Sequence, residues 1–304
     1  MKFDQSLISR IENLPLAIGN EKSLRETVEM YAAPAGFTVS QDSLGNTIAR
    51  RGRGPGCTLA VFTPVSSRSF AVRYIDKNNV AYLHTEVENW EKWIDHEIVF
   101  PDGTDAVLEE SPVGKITAKL RDDHKLMQGS SAQLKKTSRI SEDGGRLCGE
   151  DLSNIANIYA LLRFIKHVPR EVNLEICFAS QHKASSYHPG GMLLAARNMA
   201  GAPRLWLEAV AADAAGVFVE TGDNNYLLSA GMQSRLEAVS QKPQKKVCVF
   251  GGAVSELIKE AGPDTMGIGI PIKTENSEET IAYKDLMDLT AFLIEFAGGT
   301  YARN

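Results

Sequence analysis

Nowhere does this sequence hold the unbroken apolar run of about 18–20 residues that a membrane-spanning helix requires, which excludes a helical membrane protein. Its first stretch, MKFDQSLISRIENL, mixes acidic side chains among the apolar ones and does not read as a signal peptide. The expected location is therefore cytoplasmic. Cysteine is scarce. Cys57, Cys148, Cys177 and Cys248 make four in 304 residues, with no close pair. That spacing argues against a disulfide frame or a zinc knuckle and for reduced thiols packed in or beside the core. Positive charge is not in excess either: 33 basic against 38 acidic residues leave a net charge of −5. No basic field invites nucleic acid or a membrane surface. The short basic clusters Arg50–Arg53 and Lys242–Lys246 read as solvated loops. Three sequence signatures are missing as well: HExxH, Gly-x-Ser-x-Gly and a GxGxxG after a strand.

What remains is ample apolar material. At 43% hydrophobic, the chain can bury one large core, or a core and a smaller module. Apolar spacing predicts helices over Phe3–Leu14 and Glu21–Ala33, with Asn20 as a cap and Gly36 as a stop. A hairpin should turn at Gly45-Asn46, and a strand should follow at Cys57–Thr63. Residues 66 to 142 have another texture. FAVRYID, VAYLHTEV, HEIVF and GKITAKL are short strands about ten residues apart, with no long helix between them. This predicts an inserted all-β module, with Gln128–Glu142 as a polar loop. Trp90 and Trp93 either anchor an interface or pack within that module.

From Asp151 onward strands alternate with helices. Asp151–His167 reads as a half-buried helix, followed by strand EVNLEICFA, helix Gly191–Ala200 and strand Arg204–Val210. Strands VFVE, YLLSA and Lys246–Phe250, helix Val254–Ala261, strand MGIGIPI and helix Lys284–Phe296 complete the chain. The expected fold is α/β: a mainly parallel sheet with helices on both faces, built from 1–65 and 143–304, plus a small all-β barrel from 66–142.

In open α/β sheets ligands sit at the carboxyl ends of strands. There this chain presents Pro64 to Ser67, Glu150 to Asn154, Gln181-His182-Lys183, Glu208, Gly251-Gly252 and Lys273 to Ser277. The serial order resembles the TET-type, glutamyl-aminopeptidase-like (cellulase M-like) family of dinuclear zinc peptidases. Asp42-Ser43-Leu44-Gly45-Asn46 is similar to that family's Asp-x-x-Gly-Asn hairpin, and Arg73-Tyr74-Ile75-Asp76 to the opening strand of its inserted β-domain. Cys148-Gly149, Phe250-Gly251-Gly252 and Ile270-Pro271-Ile272 with Ser277 resemble further landmarks.

The resemblance implies zinc, an aminopeptidase activity and self-assembly through the β insert. The residues depart from it. The family's first metal histidine falls at Phe62 and its orienting aspartate at Pro64. The bridging aspartate falls at Ser153, the base and adjoining ligand at His182 and Lys183, and the last histidine at Asn276. Of the five ligand positions only Glu208 keeps a good donor. Zinc needs three or four thiolate, imidazole or carboxylate donors, and an ammonium in its place repels it. The expectation is no metal cofactor, with Lys183 paired to Glu208 where a cation would sit. His182, Lys183, Glu208, Ser153 and Asn276 then form a pocket for a peptide, an amino acid or a small anion. Two alternatives stand beside it. One is a working aminopeptidase with displaced ligands drawn from His182, His188, Glu208 and Asp213. The other is a structural subunit joining an active homologue.

Overall fold

The computed structural model describes residues 2–17, 22–52, 59–65, 67, 69–85, 90–135, 140–180, 190–199, 203–275 and 278–298. Helices α1 (Gln5–Glu12) and α2 (Lys22–Ala32) lead into the hairpin β1 (Thr38–Gln41) and β2 (Thr47–Arg51), then β3 (Leu59–Pro64). Six strands follow: β4 (Ser69–Ile75), β5 (Val80–His84), β6 (Glu97–Val99), β7 (Asp105–Glu110), β8 (Ile116–Lys119) and β9 (Ser131–Leu134). The chain continues through β10 (Ser141–Asp143), β11 (Arg146–Gly149), α3 (Leu152–His167), β12 (Leu174–Ala179), α4 (Gly190–Asn198) and β13 (Arg204–Ala211). It ends with β14 (Phe218–Glu220), α5 (Ala230–Ala238), β15 (Gln244–Lys246), α6 (Ala253–Ala261), β16 (Thr265–Glu275), β17 (Glu278–Ala282) and α7 (Tyr283–Phe296).

Eleven strands form one sheet in the order β1-β2-β12-β3-β13-β16-β17-β11-β10, with β14 and β15 joined at β16. Its centre is parallel: β12 on β3, β3 on β13 and β13 on β16. Antiparallel strands complete both edges. One face packs on α1, α2, α3, α5 and α7 through residues such as Leu7, Val28, Tyr159, Met232 and Phe292. The other packs on α4 and α6 through Phe62, Met192, Trp206 and Leu257. Helices on both faces explain why the central strands read as continuous apolar runs. β4 to β9 close separately into a barrel around Phe70, Val72, Leu83, Ile98, Phe100 and Leu108.

Six readings need correction. Arg50 and Arg51 belong to β2, with Arg51 buried, not to a solvated loop, and Cys248 is exposed, not packed by the core. α3 is buried nearly all round, Asn154, Asn157 and Arg163 included, because other helices cover the side turned from the sheet. Part of Gln128–Glu142 is strand: β9 closes the barrel against β4 and β6, and β10 pairs with β11. Only Ala132 of β9 is fully buried, so no period was visible. YLLSA is no strand. Gly222 and Leu227 form one isolated bridge, and Ser229 caps α5 by accepting from the Met232 amide. Strand β15 stops at Lys246, and Val247 to Phe250 form a bend with Cys248 at φ 55°. There the amides of Val249 and Phe250 donate to the buried Glu220 carboxylate, at 2.5 and 2.9 Å, instead of to a ladder partner. Asn20 lies outside the described residues; Gly36 stops the first helical pair with φ 82°. Trp90 and Trp93 pack partly buried against the barrel core.

Candidate functional site at the carboxyl rim of the sheet

Strand order reverses around β3. The chain leaves β3, returns one place to one side as β12, and then crosses to the other side as β13. A crevice opens at the carboxyl end of such a switch point. β3 and β13 pair in register only from Arg204 to Trp206 and then separate. The gap is bridged by side chains. Thr63 Oγ1 donates to the Leu207 carbonyl at 2.7 Å. From α3, Asn157 Oδ1 accepts from the Ala209 amide at 2.8 Å, and Asn157 Nδ2 donates to the Pro64 carbonyl at 3.4 Å.

Register defines which residues meet here. Cys177, Phe62 and Trp206 lie in one row across three strands, fully buried among the side chains of α4 and α6. Two residues further on, the same face presents Ala179, Pro64 and Glu208. Phe62 therefore lies inside the core, and Pro64 ends the strand. Glu208 is half-buried, and its Oε2 accepts from the Trp206 indole at 3.0 Å. Next to it, Gly269 has no room for a side chain: a Cβ would stand 2.2 Å from the Glu208 carbonyl and 2.9 Å from the Phe218 ring. Gly267 likewise leaves space for Phe250. Those glycines serve the Phe218–Phe250 stack, with centroids 5.7 Å apart.

Ser153 sits in the first turn of α3, one turn before Asn157 on the same side of the helix. Its amide donates to Glu279 Oε2 at 3.1 Å. Before it, Asp151 takes a left-handed conformation, φ 56°. Asp151 accepts from Ser67 Oγ at 2.6 Å and from Asn154 Nδ2 at 2.8 Å. Carboxylates thus already occupy donors at this helix start. His182, Lys183, His188 and Asn276 lie outside the described residues. Pro64 closes β3, Glu208 lies on the neighbouring β13, and Ser153 sits in the first turn of α3. Asp213 stands beyond the end of β13, where its carbonyl accepts from Lys246 Nζ.

A supporting clamp escaped the sequence reading. Asn46, fully buried in the β1–β2 turn, accepts from the Ser180 amide at 2.9 Å and donates to the Gly191 carbonyl and Asp42 Oδ2, both at 2.7 Å. Ser180 Oγ donates to the Leu44 carbonyl at 2.5 Å. A Cβ on Gly191 would come 1.9 Å from the Ser180 carbonyl oxygen. Only glycine permits that approach. The Asp42…Asn46 spacing was a signal for this contact, read only as a hairpin landmark.

The described residues do not fit a two-zinc site. Proline, alanine and a core phenylalanine have no donor atom, and the Glu208 carboxylate already holds an indole N–H. Among the described residues no group of three or more His, Cys, Asp or Glu is placed to hold a metal ion. None of their helices is long and apolar enough to cross a membrane.

No sequence-family profile matches the chain, and no curated protein matches it by sequence. Solved structures do. The TET1 peptidase of Pyrococcus horikoshii, described as assembling into a tetrahedron or a large octahedral shell, aligns over 96% of this chain and 98% of its own at TM-score 0.79 and 17% identity. A TET aminopeptidase from the marine sediment archaeon Thaumarchaeota archaeon SCGC AB-539-E09 aligns over 96% of both chains at TM-score 0.79 and 14% identity. An aminopeptidase of Desulfurococcus kamchatkensis aligns over 96% of this chain and 93% of its own at 0.77 and 13%. Identities this low establish architecture, and over nearly its whole length this chain has the fold of the TET aminopeptidases.

Proposed function

We propose that this protein keeps the aminopeptidase fold but binds a peptide, an amino acid or a small anion at the carboxyl rim of its sheet, without hydrolysis by a metal pair. The observation that supports this reading is the rim row Ala179–Pro64–Glu208, which offers one carboxylate where two-metal chemistry needs several donors and a base. Lys183 pairs with Glu208, and His182, Ser153 and Asn276 complete the pocket. In this reading Phe62, Pro64, Ser153, Lys183 and Asn276 replace the family's site residues. A charged, half-buried Glu208 gains from such a cation.

The test is metal analysis of the purified chain together with turnover of aminoacyl p-nitroanilides. The expected result is less than stoichiometric zinc, cobalt or manganese, and no turnover above a buffer control. Two ordered metal ions per chain with turnover would overturn the reading in favour of a working hydrolase. The pairing has its own check. Lys183→Met and Glu208→Gln should be non-additive, and simple additivity in stability would sink the ion pair.

We further propose that residues 66–142 form a unit distinct from 1–65 and 143–304, and that the chain assembles with copies of itself through the barrel. The assembled TET1 structures support the self-assembly part of this reading. Native mass spectrometry should find a dimer or larger; a monomer at micromolar concentration removes the assembly proposal.

A further inference from the structure

The outer wall of the barrel holds a hollow of about 360 Å³, lined among others by Arg73, Tyr74, Tyr82, His84, Trp90 and Lys115. Strand alternation creates it. Along β5, Ala81 and Leu83 enter the barrel core, so Tyr82 and His84 face out. In register, Tyr82 stands between Tyr74 on β4 and Thr117 on β8. The Tyr74 and Tyr82 rings stack with centroids 4.3 Å apart and planes 11° from parallel. Tyr74 nevertheless leaves 48% of its surface in solvent. The β4–β5 ladder shifts register between Val72 and Tyr74, which makes Arg73 the extra residue of a bulge. A bulge re-aims its side chain, and here Arg73 lines the hollow.

The composition of the lining is one-sided. Three of its groups are basic, three are aromatic, and none of the described residues lining it is Asp or Glu. Glu109, opposite Thr117 on β7, stands outside the lining. Arg73 and Lys115 attract a small anion, while a long polyanion would meet repulsion from a chain of net charge −5. The volume falls within the range of about 300–1,000 Å³ usual for small-molecule sites.

We propose that this hollow binds a small ligand that joins a planar aromatic ring to an anionic group. The ring lies against the Tyr74–Tyr82 stack, and the carboxylate or phosphate meets Arg73 and Lys115. An exposed aromatic face and a forked guanidinium recognise those two halves. The site is independent of the sheet rim.

Isothermal titration of the full chain tests it with adenosine 5′-monophosphate and with indole-3-acetate. Adenosine, inorganic phosphate and acetate serve as the separate halves. At least one complete probe should bind with a Kd of about 0.1–1 mM, and each half about tenfold or more weaker. Which probe binds tells phosphate from carboxylate. Arg73→Ala should weaken binding about tenfold or more, and Tyr74→Ala about two- to tenfold. Both positions are exposed, so circular dichroism and melting should match the parent. The proposal fails if neither complete probe binds below about 10 mM, or if both folded variants bind as the parent does.

Discussion

At the sheet rim β12 and β3 end on Ala179 and Pro64 beside Glu208 of β13; on the barrel wall two neighbouring strands present Tyr74 and Tyr82, with Arg73 beside them. The rim belongs to a layer covered by helices on both faces, so its polar atoms are satisfied inside the protein. Asn157, Thr63 and Trp206 take the carbonyls, amide and carboxylate there. The barrel wall is packed on its inner side only, and its outward residues are left to meet solvent, a ligand or a second copy of the chain. A core buried on two faces has little room for new polar chemistry without a partner for every group. One buried on a single face carries such chemistry at small cost to stability.

The largest effects should come from breaking each core. Trp206→Ala in the sheet and Phe70→Ala in the barrel should each cost about 3–5 kcal/mol in denaturant unfolding. Hydrogen exchange tells the regions apart: Phe70→Ala should lower protection in β4 to β9 and spare β3 and β13. Equal loss in both would mean one cooperative unit, and the contrast would collapse. Next comes the clamp beneath the rim. Asn46→Ala strands the Ser180 amide and the Gly191 carbonyl and should cost about 2–3 kcal/mol. A loss below about 0.5 kcal/mol would show that these groups find other partners.

A pH series sharpens the comparison further. Burial, and then the charge of Glu220, push the Tyr226 phenol well above its ordinary range. Its hydroxyl donates to Glu220 Oε1 at 3.0 Å. The neutral phenol is favoured when folded, so its contribution is fully present below the unfolded tyrosine value near pH 10 and is lost as pH rises beyond it. Tyr226→Phe should be about 1 kcal/mol less stable at pH 8, with a shallower decline from pH 10 to 11. An identical decline would remove Tyr226 as its source. The smallest effect belongs to the sheet's edge. Arg50 Nε meets Glu175 Oε1 at 2.8 Å between β2 and β12, and Arg50→Gln should cost about 0.2–1 kcal/mol, less at high salt. A salt-independent loss would point to packing of the arginine stem instead.

Much of this architecture was legible along the chain. The apolar runs of β3, β12, β13 and β16, the helical spacing of α3 and α7 and the turn at Gly45-Asn46 each have a local cause. The misses share another. β9 and α5 bury only one and two side chains, which leaves no period to detect. Val247 to Phe250 has the composition of a strand, yet a carboxylate more than 25 residues away in sequence takes its amides. Of the site, Glu208, Pro64 and Ser153 were named from residue type and order. The burial of Phe62 in the core and the Asn46 clamp were not.

Local pattern and composition determined that this chain alternates strand and helix and interrupts them with a β module. The tertiary structure decided which of those residues face one another. Strands β3, β12 and β13 are far apart in sequence, and a shift of one residue would turn every side chain to the opposite face. Register across distant strands is set by packing on both faces at once, and no local window of sequence contains it.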